Sequence, residues 1–254
     1  MVFPIGDENV KGGYKPYFSY GFLALNVLIF FAQLASPGNL VCELAAIPND
    51  LLAGDRLFTG ITSMFLHGGW MHLIGNMLYL WIFGDNIEAC IGNVQFVIFY
   101  LLGGIVASAA HVYLGAAGQE VATNCCDVCA TVNPCDVQSQ SVNPCPGSIP
   151  SLGASGAISA VMGAYLAMFP KSKIKMIALI FGTFTIPAFL FLLFWFGQQL
   201  FSGFGAMGIG SSSGVAWWAH IGGFVFGLAL GFLFRGKAKW KHPEMYEDKN
   251  TPFV

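Results

Sequence analysis

A handful of polar side chains interrupt stretches that are otherwise apolar: His72 and Asn76 in one, His111 in another, Ser155 and Ser159 in a third, and His220 in a fourth. A serine hydroxyl within reach of a neutral imidazole is a nucleophile with its general base, the minimum equipment for acyl transfer. Every Asp and Glu falls in a loop or near the end of a stretch, as Asp85 does, so no carboxylate is available at that depth and Ser155 and His220 would form a dyad, not a triad. His72 and Asn76 are four residues apart and share a helix face. Both could donate hydrogen bonds to an oxyanion, together with the amide of Ser155 at a helix amino terminus.

Counting along helices puts these groups at one depth. Lys171 marks the end of the stretch that Ser155 begins, which sets the serine about 24 Å above it at the helical rise of roughly 1.5 Å per residue. Arg235 ends the last apolar stretch, and His220 stands about 22 Å above it by the same rise. Measured from Asp85, His72 lies about 20 Å up and Asn76 about 14 Å. In a hydrocarbon layer about 30 Å thick, this level is below the outer face and must be wetted through a cavity, which a short fourth helix would leave.

The elements that carry these residues are membrane spans. Of 254 residues, 56% are hydrophobic and 9% charged, with a mean hydropathy of +0.66, outside the range of a water-soluble globule. Apolar runs cover 18–35, 70–87, 94–114, 155–169, 176–196 and 215–234, giving six expected crossings in an all-α membrane domain, 18–234. The first run has no small-x-small pattern at its end and reads as an uncleaved anchor. Lys11 and Lys15 precede it. Lys171, Lys173 and Lys175 follow the fourth run, and Arg235, Lys237, Lys239, Lys241 and Lys249 follow the sixth, leaving only Arg56 for the other side. The positive-inside rule then makes 1–17, the 171–175 loop and 235–254 cytoplasmic, in a multi-pass protein of the cell membrane. With a net charge of −2 and its cations beside spans, the chain has no basic surface for nucleic acid.

Two outward loops are long. The first, 36–69, is rich enough in Leu, Phe and Ile to lie in the membrane interface. The second, about 115–153, repeats Val-Asn-Pro-Cys and carries Cys125, Cys126, Cys129, Cys135 and Cys145. With Cys42, six cysteines face the oxidising side, compatible with any of 15 disulfide pairings, whereas Cys90 is cytoplasmic. Zinc held by Cys126, Cys129, Cys135 and Cys145 is the competing reading, and the compartment favours disulfides. The segment 202–214, rich in glycine and serine, is expected to be a loop.

Singly, each polar residue has an ordinary explanation. A serine beside glycine in a membrane helix is most often a packing residue, and membrane histidines are as often structural. His67 reads as a loop residue bonded to backbone, His111 as structural and His242 as part of the tail. The aromatic side chains of the fifth run read as lipid-facing or packing residues, with a substrate gate as the lesser reading. Gly156, Ala160 and Ala164 recur every fourth residue on one run, and Gly223, Gly227 and Gly231 on another, stripes that let two backbones touch.

Jointly the residues resemble a known family. Gly153-Ala154-Ser155-Gly156 looks like the G-x-S-G motif of the rhomboid intramembrane proteases; Ala219-His220 with Gly223 and Gly227 resembles their A-H-x-x-G-x-x-x-G motif, and His72 to Asn76 their H-x-x-x-N element. The resemblance implies a six-helix rhomboid-like bundle with a membrane-associated first outward loop and a Ser155–His220 dyad. It further implies His72 and Asn76 at an oxyanion hole, an acyl-enzyme, a site opening outward and no cofactor or metal. The implied substrates are single-pass transmembrane proteins in the lipid bilayer. Two positions depart from the pattern: Asp55-Arg56 stands where Trp-Arg is frequent, and Ser159 where an aromatic residue often stacks on the histidine. A non-catalytic binder of membrane helices, like the derlin-type relatives, would lack the dyad. A transporter using His72, His111 and His220 would be expected to carry an intramembrane carboxylate or halved repeats, and neither is visible.

Overall fold

The computed structural model describes residues 2–8, 15–36, 39–116, 149–178, 182–209 and 215–241. Helix α1 is Tyr17–Ala35, and three short helices follow in the first long loop: α2 Asn39–Leu44, α3 Pro48–Ala53 and α4 Thr59–Thr62. Next come α5 Trp70–Ile91, α6 Asn93–Ala110 with a π-helical extension His111–Ala116, and α7 Ser155–Met168. Helices α8 Ala188–Ile209 and α9 Trp217–Lys241 complete the helical set. Four of these, α1, α6, α8 and α9, are long and apolar enough to cross a membrane, while α7 is a shorter apolar helix of 14 residues. The result is a mostly helical membrane fold.

Helix α7 is the axis of the core. From Gly156 to Met168 only Leu166 on it is not buried, and its most extensive neighbour is α9, with α6 and α5 alongside. The two small-residue stripes meet in register. A Cβ built on Gly223 would lie 2.2 Å from the carbonyl oxygen of Gly156, and one on Gly227 only 1.8 Å from that of Ala160. One on Gly231 would lie 2.7 Å from Ala164 Cα, so no side chain fits along this seam. Gly227→Ala is therefore expected to cost about 1–3 kcal/mol of stability by forcing α7 and α9 apart. Gly205→Ala, where a Cβ would meet nothing within 4 Å, should leave the melting temperature in detergent unchanged.

The chain is not all-α. Strand β1, Val2–Gly6, pairs antiparallel with β2, Lys173–Ala178, which pairs antiparallel with β3, Gly182–Pro187. On β2 Lys173 and Lys175 are exposed while Ile174 and Met176 are buried. That period of two is the mark of a strand with one covered face. The expected fifth span, 176–196, is corrected accordingly: its first half holds the end of β2 and all of β3, and α8 begins only at Ala188 and runs to Ile209. The start of the expected 202–214 loop is thus helix, while residues 210–214 lie outside the described residues, as do the five cysteines from Cys125 to Cys145. Cys42 is disulfide-bonded, and Cys90 is buried and outside any disulfide.

Buried carboxylates organise the end of the bundle that carries the sheet. Glu88 accepts hydrogen bonds from the amides of Phe18 and Ser19 and from the Ser19 hydroxyl, holding the positive end of α1 against the last turn of α5. Just beyond β1, Asp7 contacts the hydroxyl of Tyr165 on α7 and accepts a hydrogen bond from Asn86 on α5 at 2.7 Å. Burial, reinforced by the charges of Asp85 and Glu8, pushes the Asp7 carboxyl up to about 8 against the hydrogen bonds of Tyr165 and Asn86. A raised folded value means that the folded state binds the proton more tightly. Its contribution is full below the unfolded value of 3.8, declines as pH rises and is gone above about 8. Amide protection factors in β1, corrected for the intrinsic base-catalysed exchange rate, should fall between about pH 4 and pH 8, and Asp7→Asn should flatten that dependence.

Candidate active site

The segment leading into α7 is held by the first long loop. Ala46 and Ser151 exchange backbone hydrogen bonds of 3.0 and 2.7 Å, and the Gly153 amide donates to the Ser63 carbonyl at 2.9 Å. That loop is itself cross-linked by Arg56, which donates to the carbonyls of Cys42 and Glu43 and pairs with Asp50. Gly153 has φ +123°, and a Cβ on it would lie 2.6 Å from His72 Cε1, so both conformation and space demand glycine before the helix starts. Ser155 is the first residue of α7, where backbone amides have no partner within the helix.

Because α7 and α9 touch along their glycine and alanine stripes, side chains near their ends converge. Ser155 Oγ lies 2.8 Å from His220 Nε2. Gly156 faces Ala107 of α6, with a built Cβ 2.6 Å from its Cβ, and its carbonyl is the group against which Gly223 packs. Gly223 and Gly227 hold the α7–α9 seam and touch no reacting atom.

The pair lines a cavity of about 240 Å³ together with His72 and Asn76. The Gly68 amide donates to His72 Nδ1 at 3.3 Å, so the proton of the neutral ring is on Nε2, the nitrogen 2.7 Å from the position a Cβ on Gly153 would occupy. Asn76 is 93% buried and its Nδ2 has no hydrogen-bond partner. Two N–H donors thus border the residues that lead into Ser155, and one of them is unsatisfied in the resting structure. His67 lies beside this wall, its ring 5.3 Å from that of His72, while its backbone exchanges two hydrogen bonds with the Gln33 side chain of α1. His111 is not part of the cavity wall.

The family profile described as Rhomboid domain matches residues 54–237, well over half of the chain. The chain belongs to the rhomboid family. It is 29% identical over 221 residues to Rhomboid protease GluP of Bacillus subtilis, covering 85% of this chain and 35% of that protein. To Rhomboid protein 1, mitochondrial, of Saccharomyces cerevisiae it is 25% identical, covering 84% of this chain and 52% of the yeast protein. To the human Presenilin-associated rhomboid-like protein, mitochondrial, it is 30% identical over 125 residues, 49% of this chain and 26% of the human protein. The chain therefore spans between about a quarter and a half of the length of these rhomboid relatives.

This rhomboid chain lacks an aromatic residue one turn after Ser155, and the structure accounts for what stands there. Ser159 turns its hydroxyl back to donate to the Ser155 carbonyl at 2.6 Å. An indole from another helix approaches the imidazole instead: Trp195 of α8, its ring 5.9 Å from that of His220. One turn further along α8, Gln199 Oε1 lies 2.8 Å from His220 Nδ1. The sequence reading misses Gln199 because it ends the fifth span at Phe196. The alternation Lys173-Ile174-Lys175-Met176 is the signal that would have moved that span and brought Gln199 inside it.

Proposed function

We propose that this chain is an intramembrane serine endopeptidase that cleaves the transmembrane segments of other membrane proteins. The observation that carries the reading is the 2.8 Å separation of Ser155 Oγ and His220 Nε2 at a cavity that Asn76, whose Nδ2 is an unsatisfied donor, also lines. In the step proposed, His220 Nε2 takes the hydroxyl proton as Ser155 Oγ bonds to the scissile carbonyl carbon. The negative charge moves to the carbonyl oxygen, which receives hydrogen bonds from Asn76 Nδ2, His72 Nε2 and the Ser155 amide. Collapse breaks the C–N bond while the imidazolium returns its proton to the departing amine, leaving the acyl group on Ser155. A water molecule then repeats the sequence to release it. The residues doing this work need neither metal nor cofactor.

The substrates would be single-pass proteins whose helix unwinds locally to present an extended bond. Six crossings are proposed, with α5 and α7 joining the four helices that are both long and apolar enough to cross. At about 1.5 Å per residue, the 14 residues of α7 span roughly 21 Å, short of a hydrocarbon layer of about 30 Å, which leaves the column above Ser155 open to water from the outer side. Pairing of β1 with β2 puts the amino-terminal segment beside Lys173 and Lys175, in keeping with cytoplasmic tails, and α2 to α4 would lie in the outer interface. Fluorophosphonate labelling is the direct test. The wild-type protein in detergent should take one probe per chain at Ser155, and an unlabelled protein that still binds membrane helices would make it a binder and not a protease.

A further inference from the structure

His220 presents two ring nitrogens, and the proposed chemistry uses only one. A neutral imidazole can accept the Ser155 proton at Nε2 only if its own proton is on Nδ1. Among the described residues, the side chains hydrogen-bonded to the ring are those of Ser155 and Gln199, and neither is a carboxylate. From the hydrogen bonds around the far side of the ring we infer that Gln199 is the positioning residue of the base: its amide oxygen receives the His220 Nδ1 proton, fixes the productive tautomer and stabilises the imidazolium. The inference rests on the proteolytic reading and adds a third member to the site, from α8.

The direction of the amide decides the matter. Only the oxygen of a glutamine side chain can accept and only its nitrogen can donate. Gln199 Nε2 donates to the carbonyl oxygen of Trp195 one turn back at 3.4 Å, which leaves Oε1 as the atom 2.8 Å from His220 Nδ1. That oxygen has no proton to give, so the bond requires Nδ1–H and leaves the Nε2 lone pair facing Ser155 Oγ. Gln199 is 96% buried, so water does not compete for the contact. Trp195 and Gln199, four residues apart, share a face of α8 and both approach the same imidazole. As Nε2 takes the serine proton, the Nδ1–H···O bond becomes charge-assisted and shortens, a gain realised in the transition state and not in the resting enzyme.

The test compares Gln199→Met, which keeps the volume and deletes the acceptor, with Gln199→Glu, which restores an acceptor. Cleavage of a reporter transmembrane protein is followed in proteoliposomes, and rates are normalised to sites titrated with a fluorophosphonate so that misfolded protein does not count. Gln199→Met is expected to lower kcat roughly 10- to 100-fold with KM within about twofold, and Gln199→Glu to recover most of that loss. A residue that merely packs would not be rescued by a buried carboxylate. Wild-type kcat in the methionine variant, or equal losses in both variants, would overturn the role assigned to Gln199. A wild-type chain that neither cleaves nor takes the probe would instead remove the proteolytic reading, and this inference with it.

Discussion

Ser155→Ala is expected to abolish cleavage of a reporter transmembrane protein, lowering kcat by roughly 10⁴-fold or more, and His220→Ala to do the same. The two losses should not add. A hydroxyl without its base and a base without its nucleophile are equally incompetent, so the double variant should match either single one within about tenfold. The serine variant is structurally mild, since it removes one oxygen from the first residue of α7, whose helix is held by the α9 seam and not by that hydroxyl. The histidine variant opens space beside Trp195 and releases Gln199, so its melting temperature in detergent must be measured alongside. Residual fragment above background in either folded variant would show that another pair does the chemistry.

How much of this arrangement is legible in the sequence depends on what sets each distance. The nearness of Ser155 to His220 is legible because two fixed quantities determine it: the rise of a helix counted from Lys171 and Arg235, and stripes of small residues that bring the two backbones together. Gly223, Gly227 and Gly231 meet Gly156, Ala160 and Ala164 in register because both stripes repeat every four residues. What resists reading comes from the paired strands β2 and β3. Hydropathy counts Met176, Ile177 and Ala178 as membrane residues whichever structure they adopt, so the fifth span is drawn about a dozen residues early and Gln199 falls outside it. Only the two-residue alternation separates strand from helix there, and it lasts barely six residues. The docking of Asp7 on Tyr165 is illegible for a different reason. A contact between residues 158 positions apart has no local signature, and neither side chain belongs to a periodic pattern.

The second large effect is expected at Asn76, where activity and stability should part ways. A buried N–H with no partner costs a folded protein about 1–3 kcal/mol, and Asn76 Nδ2 is such a group. No protein group among the described residues offsets that cost, but the oxyanion of a tetrahedral intermediate would. Asn76→Leu keeps a similar volume and removes the donor. It should lower kcat by about 10²- to 10³-fold, as loss of one oxyanion donor does elsewhere, while KM changes little. The melting temperature should hold or rise, because the orphaned group is gone. His72 makes the complementary case. Its Nδ1 accepts from the Gly68 amide, so His72→Leu breaks a bond that exists before substrate arrives and should lower kcat and stability together. If Asn76→Leu instead destabilised the protein and left kcat intact, the amide would be a structural member of α5, and the oxyanion would have to be held by His72 and the Ser155 amide alone.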